Sequence, residues 1–354
     1  MFRFNKKLPA VDLLRLKAMT DYTGMLQHST HAVPCFKEGY ATDDNARALI
    51  AVLRFQRLFP ESAAEAESLA TTYLSFMHYT QTANGLFHNF VSFDKRFIEE
   101  QTSWDCLGRA LWAAGFAVNS GLNENLKALA KKMIDDAMPN ISALEDCRPV
   151  ALALMGIHHY FKAKPEQLDL LEKINALGNK LLSMLEQNSS AEWQWFEEIL
   201  TYGNAIMPEA LFLAFDSTHE KKFLHAAEQT YSFLRGKTIE GDMFVSVGQK
   251  GWLPRGGQKA LFDQQPIEAG SMADAALTAF NLTGKREYAE DVFIAFNWFL
   301  GKNLLGKAVF DSSTGACFDG LTAQGPNLNQ GAESTIAFLF ARLAVEELMR
   351  KGER

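Results

Sequence analysis

Carboxylates recur in this chain at one kind of place, just ahead of or at the start of a run rich in Ala, Leu and Gly. Asp43 and Asp44 open the first such run, Asp105 the second, and Glu145 and Asp146 the third. Glu197 and Glu198 precede the fourth, while Glu268 and Glu333 stand at the heads of the fifth and sixth. Two carboxyl groups facing each other across a bound molecule can divide acid and base work, one protonating a leaving group and the other activating water. Asp and Glu are also what orphan N–H groups and the helix dipole select at a helix start, so position alone leaves capping open for each of them. Arg47, Arg109 and Arg148 follow Asp44, Asp105 and Glu145 by three or four residues. At that spacing each can pair with its own carboxylate or turn toward a ligand.

Flat and amide-bearing side chains gather near the same stretches. Phe90, Trp104, Trp195, Tyr202 and Trp252 supply rings, and Asn45, Asn204, Gln265, Asn329 and Gln330 supply amides. Sugars present hydroxyls and apolar C–H faces, which suits such a set, although any one ring fits a core role as well. His31 lies in a loop within reach of these positions, whereas His158 and His159 fall in the second half of the third apolar run, where a structural role is expected. No Gly-rich loop with a phosphate-binding Lys follows a strand, and Asp43-Asp44 alone is not a diphosphate-binding motif. Cys35, Cys106, Cys147 and Cys317 stand far apart without CxxC spacing. No metal and no cofactor is expected, and the thiols are expected to be free.

These residues meet only if the segments that carry them are bundled. Two kinds of helix alternate. In 122–138, Leu126, Leu129, Ala130, Met133, Ile134 and Ala137 share one face and Lys127, Lys131, Lys132 and Asp135 the other, as in a helix with one wet side. Segments 62–79, 166–186, 219–235 and 286–301 read the same way, and 11–27 more weakly. Runs such as 107–118 and 149–161 are apolar nearly all round, which implies burial on most sides. Six of these runs start near 43, 103, 145, 203, 267 and 331, each after an amphipathic partner. The pattern predicts an all-α chain, residues 1–354 forming a single (α/α)6 toroid of six helical hairpins, with an open solenoid of helix pairs as the alternative. The long connections 80–102, 187–202, 236–266 and 303–330 all precede an inner helix and therefore share one face. Strings such as Asn84-Gly85-Leu86-Phe87 and Met243-Phe244-Val245-Ser246-Val247 mark parts of them as β-hairpins.

Composition narrows the partners. The net charge is −7 with no Lys/Arg block, which removes the footprint of a nucleic-acid binder. The longest uncharged stretch, 110–123, is shorter than the roughly 18 residues of a transmembrane helix, so no membrane partner is expected. The N-terminal residues lack the apolar core of a signal peptide, and a cytoplasmic location is expected.

Several strings taken together resemble the six-hairpin glycosidase superfamily: Thr42-Asp43-Asp44-Asn45-Ala46-Arg47, Trp195-Phe196-Glu197-Glu198, Leu200-Thr201-Tyr202-Gly203-Asn204-Ala205, Pro208-Glu209-Ala210-Leu211, Gln264-Gln265-Pro266-Ile267-Glu268-Ala269, Asp319-Gly320-Leu321 and Asn329-Gln330-Gly331-Ala332-Glu333-Ser334. More narrowly they are similar to carbohydrate enzymes found alone or appended to glycosyltransferases. The resemblance implies an (α/α)6 toroid with a glycan site at its rim, and a glycosyltransferase as a partner. The reaction is not implied, since hydrolases, phosphorylases and epimerases share the superfamily.

Three readings follow. The first is an inverting glycoside hydrolase acting on a glucoside or mannoside oligosaccharide. Its acid is Glu197 or Glu198, desolvated by Trp193, Trp195 and Phe196, and its base is Asp44 or Asp105, held ionised by polar neighbours. The second is a glycan-binding module working with glycosyltransferases, in which rings and carboxylates only hold the ligand. The third is a sugar epimerase, which needs a base on each face of the reacting carbon.

Overall fold

The computed structural model describes residues 8–99 and 102–352. Among them are twelve α-helices: α1 (Leu14–Met19), α2 (Thr42–Leu58), α3 (Ala63–Thr80), α4 (Trp104–Val118), α5 (Glu124–Ala137), α6 (Cys147–Ala163), α7 (Leu168–Asn188), α8 (Ile206–Thr218), α9 (Lys221–Thr238), α10 (Pro266–Thr283), α11 (Arg286–Phe299) and α12 (Ala332–Gly352). The even-numbered helices are the apolar runs. Each packs against the next, α2 on α4, α4 on α6, and so on to α12, which returns to α2 and closes the ring. Odd-numbered helices lie outside, each against its inner neighbour, with α1 on α12. The fold is the (α/α)6 toroid, and an open solenoid is excluded by the contact between α12 and α2.

Leu107, Leu111, Leu152, Leu154, Leu277 and Phe338 on the inner helices are all buried. Small residues let these helices approach closely where α4 crosses α6. A Cβ added to Gly115 would stand 1.9 Å from the carbonyl oxygen of Gly156, and one added to Gly156 would stand 2.3 Å from that of Leu111. Backbone cannot yield as a side-chain tip can. Gly156→Ala should therefore cost at least the usual overpacking penalty of about 1–3 kcal/mol, read from urea unfolding. A midpoint equal to the parent's would show that the crossing has slack.

Inner helices connect to outer ones by short turns. The long connections all lead from outer to inner helices, which puts them at the N-terminal ends of the inner helices, on one face of the ring. The expected hairpins are present: Ile239–Glu240 pairs with Met243–Phe244, and Gln81 bridges Phe87 around Gly85. All four cysteines are free. Among the described residues no helix is long and apolar enough to cross a membrane.

One expected helix is cut short. Instead of running through 11–27, α1 ends at Met19, because the Asp21 carboxylate accepts the N–H groups of Thr23 and Gly24 and folds the chain into a turn. The chain then forms an antiparallel hairpin of β1 (Leu26–Thr30) and β2 (Val33–Ala41), turning at His31 and Ala32, with His31 at φ 53°. β2 also pairs with β3 (Phe90–Val91). This hairpin adds a long connection to the four that the sequence shows, on the same face.

Candidate functional site

Arg47 organises one side of the N-terminal mouth. Its guanidinium reaches Asp44 at 2.8 Å and Asp43 at 3.2 Å, one turn back on α2, and Glu333 at 2.9 Å on α12. The expected pairing within α2 is present, and a partner 286 residues away joins it. Asp44 and Arg47 are enclosed, while Asp43 and Glu333 keep partial exposure. Burial lifts the Asp44 carboxyl above its ordinary range, Asp43 adds to this, and Arg47 opposes both. Asp44, expected as a base held ionised by polar neighbours, is enclosed with Arg47 as its contact rather than facing the open mouth.

A second chain of contacts runs from α4 to α6. Arg109, itself buried, donates from Nε to Asp105 Oδ2 at 2.9 Å, and the Tyr202 hydroxyl donates to the same oxygen at 3.3 Å. Burial alone would raise the Asp105 carboxyl, but the charge and hydrogen bond of Arg109, with help from Arg47 and Tyr202, bring it below the usual carboxylate range. Asp105 is thus held ionised at the mouth, with its side chain about one-third exposed. Arg148 lies over the Tyr202 ring, 5.2 Å from its centroid, and donates to the Tyr202 carbonyl, to Thr201 Oγ1 and to Glu197 at 2.9 Å. The arginine was expected to pair within its helix with Glu145. It instead crosses to the 189–205 connection and leaves Glu145 and Asp146 exposed at the start of α6. Asp105, Tyr202, Arg148 and Glu197 form one continuous polar wall.

Glu268, in the first turn of α10, is buried and accepts the Gly203 N–H and the Asn204 amide, at 2.9 Å for the latter. It fixes the turn that presents Tyr202. Burial pushes its carboxyl up to about 7 against those two hydrogen bonds. The sign of the resulting pH effect follows. Between the ordinary glutamate pKa of about 4.3 and about 7, the unfolded chain releases a proton that the folded chain keeps, so stability falls as pH rises through that window. Glu268→Gln should flatten that part of a stability-versus-pH curve taken from denaturant titrations. An unchanged slope would remove Glu268 as its source.

Several expected ligand groups are committed elsewhere. Trp195 is fully enclosed against Phe196 and Phe233, and Trp193 packs on Phe233 and donates to the Glu197 carbonyl. These rings face the core, so they do not desolvate Glu197 or Glu198. Glu198 is largely exposed and paired with Arg255. Asn45 is spent on Met25 and Ala41, Asn204 on Thr201 and Glu268, and the buried Gln330 on Asp311. Asn329 holds the His31 N–H at the tip of the β1–β2 hairpin. Gln265 immediately precedes α10, and Phe90 is half-buried on β3. Trp252 sits half-buried in the 239–265 connection, with φ 56°. Trp104, at the first turn of α4 beside Asp105, is 37% exposed. Asp319 was passed over as a candidate. It accepts the Gly331 N–H and the Ser334 hydroxyl, setting the start of α12, and its signal was the Asp319-Gly320-Leu321 string.

No protein-family model matches the chain, and no curated protein matches it. Solved structures do. A sugar epimerase from a ruminal bacterium is 11% identical with a TM-score of 0.73, covering 96% of this chain and 95% of that one. Cellobiose 2-epimerase from Bacillus thermoamylovorans B4167 is 11% identical with a TM-score of 0.72, covering 95% of each. A GH76 α-mannanase from Bacteroides thetaiotaomicron is 12% identical with a TM-score of 0.65, covering 89% and 88%. At these identities the likeness is one of fold alone: this chain shares the (α/α)6 toroid of these sugar-acting enzymes.

Proposed function

We propose that the chain is a carbohydrate-active enzyme that hydrolyses a glycosidic bond at the N-terminal mouth of the toroid, with Asp105 as the base and Glu197 as the acid. The observation that carries this reading is the setting of Asp105. Arg109 and Tyr202 both act on Oδ2, so the carboxylate is oriented and ionised while Oδ1 is left to take a proton from water. Glu197 lies on the far side of Tyr202. Its partner Arg148 also holds the Thr201 and Tyr202 oxygens, so it stays in place when Glu197 turns to a glycosidic oxygen. The two groups come from different elements, α4 and the 189–205 connection, which suits a pair spaced for an intervening water and hence inversion. Trp104 gives the sugar an apolar platform. Sugars are what the epimerases and mannanases of this fold are named for, and glucosides and mannosides are the first substrates to test.

One feature favours the binding module as second reading: Asp43, Asp105, Glu197, Glu198 and Glu333 are all held by arginines, as hydrogen-bond acceptors for hydroxyls would be. Such a module would present glycans to a glycosyltransferase. Epimerisation, for which several structures of this fold are named, is the third reading; it needs a base on each face of the reacting carbon, and His158 and His159 line the other mouth of the ring. Incubation with short gluco- and manno-oligosaccharides, followed by NMR of the anomer first released, separates the readings. Release of the inverted anomer supports the hydrolase. Glycans that bind without any bond being cut would move the assignment to the module.

A further inference from the structure

A cavity of about 580 Å³ lies not at the long-loop mouth but at the other one, where the inner helices end. All six inner helices line it. Its volume lies within the roughly 300–1,000 Å³ usual for small-molecule sites. Nothing in the hydrolytic reading above uses it.

Its charges cancel in pairs. Arg54 meets Asp274 at 2.7 Å, Arg57 meets Glu347 at 2.7 Å, and Lys162 meets Asp216 at 3.1 Å. The remaining titratable groups are turned toward neutrality by burial. His158 is brought down to about 4 and His159 also falls, while the Glu209 carboxyl rises to about 8, with Asp274 adding to the rise. Helix C-termini point carbonyl dipoles at this end, which disfavours an anion. Phosphorylated sugars and nucleotides are therefore poor fits.

What the lining offers is hydrogen bonding beside apolar surface. Trp112 lines the cavity, and its indole N–H is buried with no acceptor among the described residues, a donor that calls for an oxygen. Among the described residues Glu209 accepts a hydrogen bond from the Thr278 hydroxyl, at 3.0 Å, leaving capacity for a further one. Phe116 and Leu213 supply apolar faces beside them. The geometry points to a second ligand site at the C-terminal mouth that takes a neutral polyhydroxylated molecule of mono- to disaccharide size, bound through Trp112 Nε1 and Glu209. Both residues also border a small cavity of about 30 Å³ deeper on the axis, whose lining includes Arg47 and Arg109. The site thus backs onto the polar wall of the first mouth without sharing its carboxylates.

The test uses the full chain with glucose, mannose, cellobiose and mannobiose as probes, by saturation-transfer NMR and by crystals soaked with whichever binds. Trp112→Phe keeps the ring and removes the donor, and it should weaken that sugar by roughly three- to tenfold, the value of one hydrogen bond. Leu282→Trp narrows the same cavity from a partly exposed position and should abolish binding even if the first variant folds poorly. Density for the sugar beside Trp112 supports the proposal. It is overturned if none of the four sugars binds, or if Trp112→Phe and Leu282→Trp bind like the parent.

Discussion

Replacing Asp105 by Asn should reduce turnover of a cleaved glycoside by about 10²–10⁴-fold, the usual worth of a general base, while oligosaccharide affinity stays within a few-fold of the parent. The carboxamide keeps an oxygen for Arg109 and Tyr202 to hold, so the side chain stays in place. What is lost is the negative charge that draws the proton from water. Arg109 is buried and loses its nearest countercharge, so the variant should also melt earlier, and rates must be taken well below its Tm. A pH profile gives an independent reading. Because Arg109 and Tyr202 hold Asp105 below the ordinary carboxylate range, the base stays ionised at mildly acidic pH, and the acid limb of kcat/KM should lie below that range. A variant within tenfold of the parent rate would dismiss Asp105 as the base.

The helices were legible because their signal is local. A wet face and a dry face repeat every three to four residues in 122–138, and α5 occupies Glu124–Ala137. The six inner starts fall within about three residues of their expected places, which is ordinary boundary error. Local signals misled where short-range polar chemistry competed. The Asp21 turn stops α1 before its weak periodicity runs out, and His31 opens a hairpin that no Gly or Asn announces. The mouth was legible as a collection of residue types and illegible as a set of partners. Spacing finds Asp105 with Arg109 because both sit on one helix, and it misassigns Arg148, whose acceptors come from a connection about fifty residues on. Nor does the string Trp193-Gln194-Trp195-Phe196 say which way its rings turn. All three face inward, which removed the reason for expecting a desolvated Glu197.

Arg47 should be among the costliest side chains in the molecule to remove, because one guanidinium serves three carboxylates and two helices. In Arg47→Met, Asp44 remains buried with no cation in contact, and Asp43 and Glu333 lose the charge between them. Breaking a buried pair from one side commonly costs about 3–5 kcal/mol, and this is the expected loss in urea unfolding at pH 8. It should be smaller at pH 5. The folded-state pKa of Asp44 already lies above its unfolded value through burial and Asp43, and loss of Arg47 raises it further. A carboxyl shifted in that direction stabilises the fold while it keeps its proton, and the stabilisation drains away as pH rises toward the folded pKa. Adding Asp44→Asn should recover part of the loss at pH 8 and little at pH 5, giving a coupling that a double-mutant cycle can measure. The placement of Arg47 makes the test broader than one ion pair: Glu333 ties the first inner helix to the last, so the guanidinium spans the seam where the ring closes. A loss under about 1 kcal/mol, or one independent of pH, would mean that apolar packing alone closes the ring and that Asp44 does not depend on Arg47.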